Sequence, residues 1–169
     1  MTTRYFQLAV SNPTNIYPKN KLDSAVTTAY NGYVMKQDSD GDLTPVTGIN
    51  DAVVGLLYEP GLINAELPAS DNVATYYAGK RVGMLQGRFT AMVGMGLFNG
   101  TLVPSIGDYI FSYGNGKFDN TWRGGTLSPN YLGKVRSTES LQGSDSPDLL
   151  PVGTTYESVV VVDFDIPLY

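Results

Sequence analysis

Apolar residues in this chain occur in short runs, each followed within a few positions by glycine, proline, asparagine or aspartate. The apolar period of 3.6 residues that marks an amphipathic helix is missing, and only residues 72–80 are compatible with a short helix. Short runs between turn signals are typical of antiparallel strands in a sandwich or barrel. The pattern predicts an all-β protein with strands at 4–10, 32–37, 43–46, 52–58, 81–85, 88–93, 109–112, 117–119, 131–135 and 156–164.

Two dipeptides mark hairpin turns between predicted neighbouring strands. Asp40-Gly41 precedes the strand that begins at Leu43, and Asn115-Gly116 precedes the strand 117–119. Tight turns that match the twist of β-strands require positive φ, which glycine, asparagine and aspartate tolerate. We therefore expect an antiparallel hairpin at each dipeptide.

The hairpins belong to a pattern that recurs along the chain. Three landmarks of one unit are followed at nearly constant separations by the same residue types: Tyr33, Gly41 and Gly55, then Tyr109, Gly116 and Gly133. This recurrence indicates two similar β-units within one barrel-like or sandwich-like body. A chain with 19 glycines can also produce such agreement by chance, and the sequence leaves both interpretations open.

A length of 169 residues corresponds to one domain. The predicted organisation is an N-terminal arm at 1–15, a β-barrel or β-sandwich body at 16–155, and a C-terminal strand and tail at 156–169. Chain ends are normally polar unless something ties them down, but both ends here are apolar. They are therefore predicted to make intermolecular contacts through Tyr5, Phe6, Leu8, Val10, Ile166, Leu168 and Tyr169.

Exchange of such arms between copies would build a homo-oligomer, with a trimer favoured and a dimer as the alternative. On this hypothesis, removing residues 1–10 should leave a folded body that no longer assembles. Within the C-terminal segment, four consecutive valines at 159–162 predict a strand covered on both faces. The alternation that follows places Phe164 and Ile166 on one face and Asp163 and Asp165 on the other.

The composition excludes most catalytic chemistry. The chain has neither histidine nor cysteine, which excludes Ser-His-Asp and Cys-His arrangements, disulfides, and His- or Cys-ligated metals. The net charge is −5, and the 11 lysines and arginines are scattered, so a nucleic-acid partner is not expected. We expect a protein that is not an enzyme and has no catalytic residues, cofactor or metal.

Nothing in the sequence predicts contact with a membrane. The first residues lack the basic start, apolar stretch and cleavage site of a signal peptide. The longest aliphatic block, 159–162, is far shorter than the roughly 18 residues of a membrane span. We expect a soluble product that stays where it is made unless it leaves as part of a particle.

Two groups of carboxylates were weighed as sites. Asp38, Asp40 and Asp42 resemble the start of a calcium loop, but the positions that need glycine and glutamate hold Leu43 and Ile49. A solvated hairpin tip is the better interpretation. A second group, Asp163 and Asp165, would lie about 6.5–7 Å apart along a strand, near the spacing of inverting glycosidases. Polar positions of an amphipathic strand explain this pair more simply.

The chain contains 12 tyrosines. Tyrosine is favoured at protein–protein contacts because it combines a large apolar face with a polar tip. Ordinary sheet packing also enriches aromatic residues, and stacking on glycans is a third explanation. The sequence leaves these three interpretations open.

Three segments carry a family resemblance. Residues 29–57 enter a strand at Gly32, pass a hairpin and close with an aliphatic-Gly-aliphatic strand around Gly55. Residues 87–92 read Gly-Arg-Phe-Thr-Ala-Met, and residues 105–135 combine the entry Gly107-Asp108-Tyr109 with the close Leu132-Gly133-Lys134-Val135. Together they resemble the capsid decoration, or cement, proteins of tailed bacteriophages over roughly residues 25–136.

The resemblance implies a structural virion protein that binds the major capsid protein on the outer capsid surface and stabilises the shell. It also implies synthesis in the host cytoplasm and no catalytic residues. Many copies bound to one lattice favour the assembled state by mass action. This chain departs from the compact members of the group in its long termini, which leaves the mode of attachment open. The alternative function is a glycan-binding adhesion module displayed on the particle.

Overall fold

The computed structural model describes residues 6–10, 20–59, 72–100, 103–120, 131–141 and 157–166. They form twelve strands, one four-residue helix α1 (Ala74–Tyr77) and one 3₁₀ turn (Met95–Leu97). The strands are β1 (Phe6–Val10), β2 (Asn20–Lys21), β3 (Val34–Gln37), β4 (Leu43–Pro45), β5 (Gly55–Leu57), β6 (Arg81–Val82), β7 (Met84–Leu85), β8 (Gly87–Gly94), β9 (Tyr109–Gly114), β10 (Lys117–Asp119), β11 (Tyr131–Leu141) and β12 (Glu157–Ile166). The predicted all-β class is confirmed.

Two antiparallel sheets make up most of the fold. One has six strands in the order β1-β8-β12-β11-β9-β10, and the other has four in the order β4-β3-β5-β7. A short ladder between β2 and β6 accompanies them. Neither sheet closes into a barrel within the described residues, so of the two predicted architectures the sandwich-like one matches this fold. None of the described helices is long and apolar enough to cross a membrane.

An aromatic cluster at the centre of the core connects the strands. The Phe164 ring of β12 stacks on Phe89 of β8 at a centroid distance of 5.1 Å and lies 5.5 Å from Phe118 of β10. Phe6 of β1 lies 6.3 Å from Phe164 and 6.2 Å from Tyr58, which follows β5 of the other sheet. Such pairs contribute about 0.5–1.5 kcal/mol each beyond the area they bury. The cluster therefore ties both sheets into one core.

The second predicted hairpin joins the two sheets. Asn115 and Gly116 have φ of 53° and 73°, as the tight turn between β9 and β10 requires. The Gly116 N–H donates to the Val46 carbonyl at 3.0 Å, and the Gly116 carbonyl accepts from the Val34 N–H at 2.8 Å. The tip of this hairpin is thus anchored on the four-stranded sheet.

The strand order supports the recurring unit. In the first unit β3 lies between β4, its hairpin partner, and β5; in the second, β9 lies between β10, its hairpin partner, and β11. The same arrangement therefore occurs once in each sheet. This agreement favours two similar β-units over a coincidence of glycines.

The turn after β4 is held by one carboxylate. Asp51 Oδ2 accepts from the Lys36 ammonium at 2.9 Å, from the Thr47 N–H at 2.7 Å and from the Gly48 N–H at 3.0 Å. The Lys36 ammonium, together with the Thr47 N–H, holds the pKa of the Asp51 carboxyl well below its usual range. The charged carboxylate is therefore stabilised more in the folded state than in the unfolded chain.

The lowered pKa predicts a pH-dependent contribution to stability. It is fully present above the unfolded pKa of about 3.9 and is lost as the pH falls through the folded pKa. We expect Asp51→Asn to lower the free energy of unfolding by about 1–2 kcal/mol at neutral pH, with a smaller loss in acid. Urea titrations at pH 7 and pH 3 measure both values. Asp40→Asn, at an exposed carboxylate, is the control, and an equal loss for Asp51→Asn at both pH values would contradict the prediction.

The structure changes the expectation for the terminal segments. β1 pairs with β8, and β12 lies between β8 and β11 in the middle of the six-stranded sheet. Phe6 is fully buried, Ile166 is 1% exposed, and Leu8 packs against the same core. Because Phe6 fills the chain's own core, removal of residues 1–10 should destabilise the body. Tyr5, Leu168, Tyr169 and the Val10 side chain lie outside the described part of the chain.

Candidate functional site

The outer face of the six-stranded sheet carries polar and charged side chains. Alternation along β8 and β12 turns Phe89 and Phe164 inward and leaves Arg88, Asp163 and Asp165 outside. The register places Asp163 opposite Thr90 and Asp165 opposite Arg88. The predicted exposure of both aspartates on one face of the last strand is confirmed.

A groove of about 490 Å³ lies on this face, and we call it the outer trough. Strand β12 runs along it, with β8 on one side and β11 on the other. Its lining is a mixture of ionic and aromatic groups: Arg88, Phe89, Thr90, Tyr131, Lys134, Asp163, Phe164 and Asp165. The volume falls within the range of about 300–1,000 Å³ that is typical of small-ligand sites.

The two carboxylates of the outer trough are held differently. Asp163 accepts from the Thr90 hydroxyl at 2.6 Å and from Arg136 Nη2 and Nε at 2.9 and 3.0 Å. Asp165 makes a longer ion pair of 3.5 Å with Arg88, whose side chain is 86% exposed. Asp163 is thus fixed by its own neighbours, whereas Asp165 retains more capacity to accept hydrogen bonds from a ligand.

This geometry bears on the acid/base hypothesis for the pair. A general acid or base must be able to exchange a proton with a bound substrate. Both Asp163 oxygens accept hydrogen bonds from Thr90 or Arg136, so this carboxylate is engaged in holding β8, β11 and β12 together. The simpler interpretation, polar positions on an amphipathic strand, is the one that the contacts favour.

Exposed aromatic rings border the outer trough on the β9 and β11 side. Tyr131 is 39% exposed and meets the 53% exposed Tyr109 edge to face at a centroid distance of 5.8 Å. The Lys134 ammonium lies 5.6 Å from the centre of the Tyr109 ring. Partial burial, with Asp165 nearby, raises the pKa of Tyr131, so its hydroxyl remains protonated at neutral pH. Packing also uses tyrosines elsewhere, since Tyr33 and Tyr58 are buried in the core.

A rigid turn next to these rings presents an apolar side chain to solvent. Ile106 is 70% exposed. The turn around it is fixed because the Gly107 N–H donates to the Val135 carbonyl at 3.0 Å and the Val135 N–H donates to the Asp108 carbonyl at 2.9 Å. The Asp108 carboxylate also accepts from the Ser105 N–H at 2.8 Å. The exposure of Ile106 is therefore built into an ordered turn.

The hairpin tip at 38–42 is occupied by its own backbone. Asp38 Oδ1 accepts from the N–H groups of Asp40 and Asp42 at 2.9 and 3.0 Å. Within the part of the chain that the structure describes, no group of three or more acidic side chains is arranged to hold a metal ion. These contacts support the interpretation of a solvated hairpin tip.

Sequence reasoning found some of these residues and missed others. Alternation along one strand was enough to expose Asp163 and Asp165 together. Arg88 and Lys134 were missed because their place beside those aspartates depends on pairing between strands far apart in the sequence. Ile106 was missed because nothing in a run of residues distinguishes an exposed isoleucine from a buried one. The Gly107-Asp108 turn signal was the available hint.

A scan against models of known protein families finds no match to this chain, and a search of characterised proteins finds none either.

Proposed function

We propose that the chain is a structural virion protein that binds the outer surface of a phage capsid and stabilises the shell. The observation that supports this most is the surface formed by Ile106 and Tyr109 beside the outer trough. Ile106 is 70% and Tyr109 53% exposed, and both extend from ordered backbone. Exposed apolar and aromatic side chains on a rigid support are the usual anchors of protein–protein contacts.

The proposed partner is the major capsid protein. A decoration protein acts by preferring the assembled lattice, and its many copies add stability by mass action. The apolar anchors would contribute most of the affinity, while the surrounding Arg88, Lys134 and Asp165 would orient the contact. The chemistry proposed is recognition alone, without catalysis, cofactor or metal.

We further propose that the protein acts as a homo-oligomer, with a trimer preferred over a dimer. Phe6 and Ile166 lie in the chain's own core, so the terminal contacts would arise by exchange of β1 between copies. In such an exchange, the strand of one copy fills the place that it fills here in its own chain. Sedimentation equilibrium of the full chain measures the number of copies, and a monomer at all concentrations would exclude this part of the proposal.

The test of capsid binding uses purified particles and defined variants. Gel analysis should find the protein in stoichiometric proportion to the major capsid protein, and added protein should rebind particles from which it has been removed. We expect Ile106→Lys to bind at least about tenfold more weakly, because a buried anchor is replaced by a charge. Ile49→Lys, at a 41% exposed isoleucine of another turn, is the matched control. Absence from purified particles, or equal binding by the two variants, would contradict the proposal.

A further inference from the structure

The outer trough combines hydrogen-bonding groups of both kinds with an exposed ring. Asp165 can accept, Arg88 and Lys134 can donate, and Tyr131 presents an aromatic face and a hydroxyl. Ligand sites typically combine apolar and aromatic lining with a few polar groups that fix orientation. These groups converge on one groove, so they can contact the same ligand at the same time.

The charges of the outer trough are already balanced within the protein. Arg136 neutralises Asp163, and Arg88 neutralises Asp165. A charged ligand would have to displace one of these partners and leave the other ion without its pair. An uncharged ligand with many hydroxyl groups meets no such cost, because hydroxyls both donate to carboxylates and accept from arginine and lysine.

From this complementarity we propose that the outer trough binds a neutral saccharide. A sugar ring offers an apolar face to the Tyr131 ring and vicinal hydroxyls to Asp165 and Arg88. Asp163, held by Thr90 and Arg136, keeps β12 in place beneath the ligand. The site goes beyond the capsid-binding function and does not depend on it, since it needs only this chain.

The experiment titrates the full chain with four neutral pentasaccharides: maltopentaose, cellopentaose, laminaripentaose and chitopentaose. Calorimetry gives the affinity, and amide chemical shifts locate the contact. We expect at least one sugar to bind and to shift amides of β8, β11 and β12. Tyr131→Ala should weaken that binding about tenfold or more, and Asp165→Asn should weaken it several-fold. Tyr76→Ala removes a tyrosine of similar exposure, 41%, from helix α1 and should leave the affinity unchanged.

Three outcomes would overturn the saccharide site. One is that none of the four sugars binds at millimolar concentration. Another is that Tyr131→Ala, folded by its thermal transition, binds like the unmodified chain; if this variant does not fold, the shift map and Asp165→Asn decide instead. The third is that Tyr131→Ala weakens binding to particles while no sugar binds, which would assign the outer trough to the protein contact. Loss of capsid binding in Ile106→Lys leaves the sugar titration unaffected, so the two proposals can fail separately.

Discussion

Replacing Phe6 with alanine should lower the free energy of unfolding by about 3–5 kcal/mol. Phe6 is fully buried, and its ring contacts Tyr58 and Phe164 at centroid distances of 6.2 and 6.3 Å. Truncation removes the transfer free energy of the ring and leaves a cavity between the two sheets. It also uncovers Gly32, at which a Cβ atom would lie only 2.5 Å from the Phe6 ring. The core is therefore closely packed around this side chain.

Urea denaturation of the purified variant measures the loss. Leu8→Ala is the matched control, because Leu8 lies on the same strand and packs against the core while only partly buried. We expect a smaller loss for Leu8→Ala. If Phe6→Ala costs no more than this control, β1 does not contribute to the core as the structure has it, and the segment would behave as the detachable arm that its sequence suggested.

Local patterns predicted the class and most strands of this fold. Each strand predicted from apolar runs between turn signals corresponds to observed strands, and the valines at 159–162 are buried as a strand covered on both faces should be. The two-residue strand β2 was not predicted, because so short a segment carries no periodicity. Strand β11 extends to Leu141, well past the predicted end at 135, because Ser137–Ser140 pair with the valines of β12. That extension depends on a distant partner and not on local composition.

The terminal segments show the same limit from the opposite side. Their apolar character was detected, but apolar side chains at a chain end fit both an intermolecular contact and the chain's own core. The choice depends on which strands lie next to them, and β1 pairs with β8, about eighty residues further along the chain. The outer trough could not be predicted for the same reason, since β8, β11 and β12 meet only through the sheet order.

Gly116→Ala should lower the free energy of unfolding by about 2–5 kcal/mol. Gly116 has a φ of 73°, and an L-residue in this left-handed region costs about 1–2 kcal/mol. A Cβ atom at this position would also overlap the Tyr33 ring, and overpacking typically costs about 1–3 kcal/mol more. The overlap acts at the point where the hairpin is hydrogen-bonded to Val34 and Val46 of the other sheet.

Gly41→Ala separates these two causes. Gly41 also has a positive φ, 84°, but a Cβ atom there would meet nothing within 4 Å, so only the backbone cost of about 1–2 kcal/mol is expected. Urea titrations of both variants give the difference that the contact with Tyr33 contributes. In a Tyr33→Leu background, the cost of Gly116→Ala should fall toward that of Gly41→Ala, because the smaller side chain can move away. Equal losses for the two alanine variants in the native background would mean that close docking of the hairpin on Tyr33 does not stabilise the junction between the sheets.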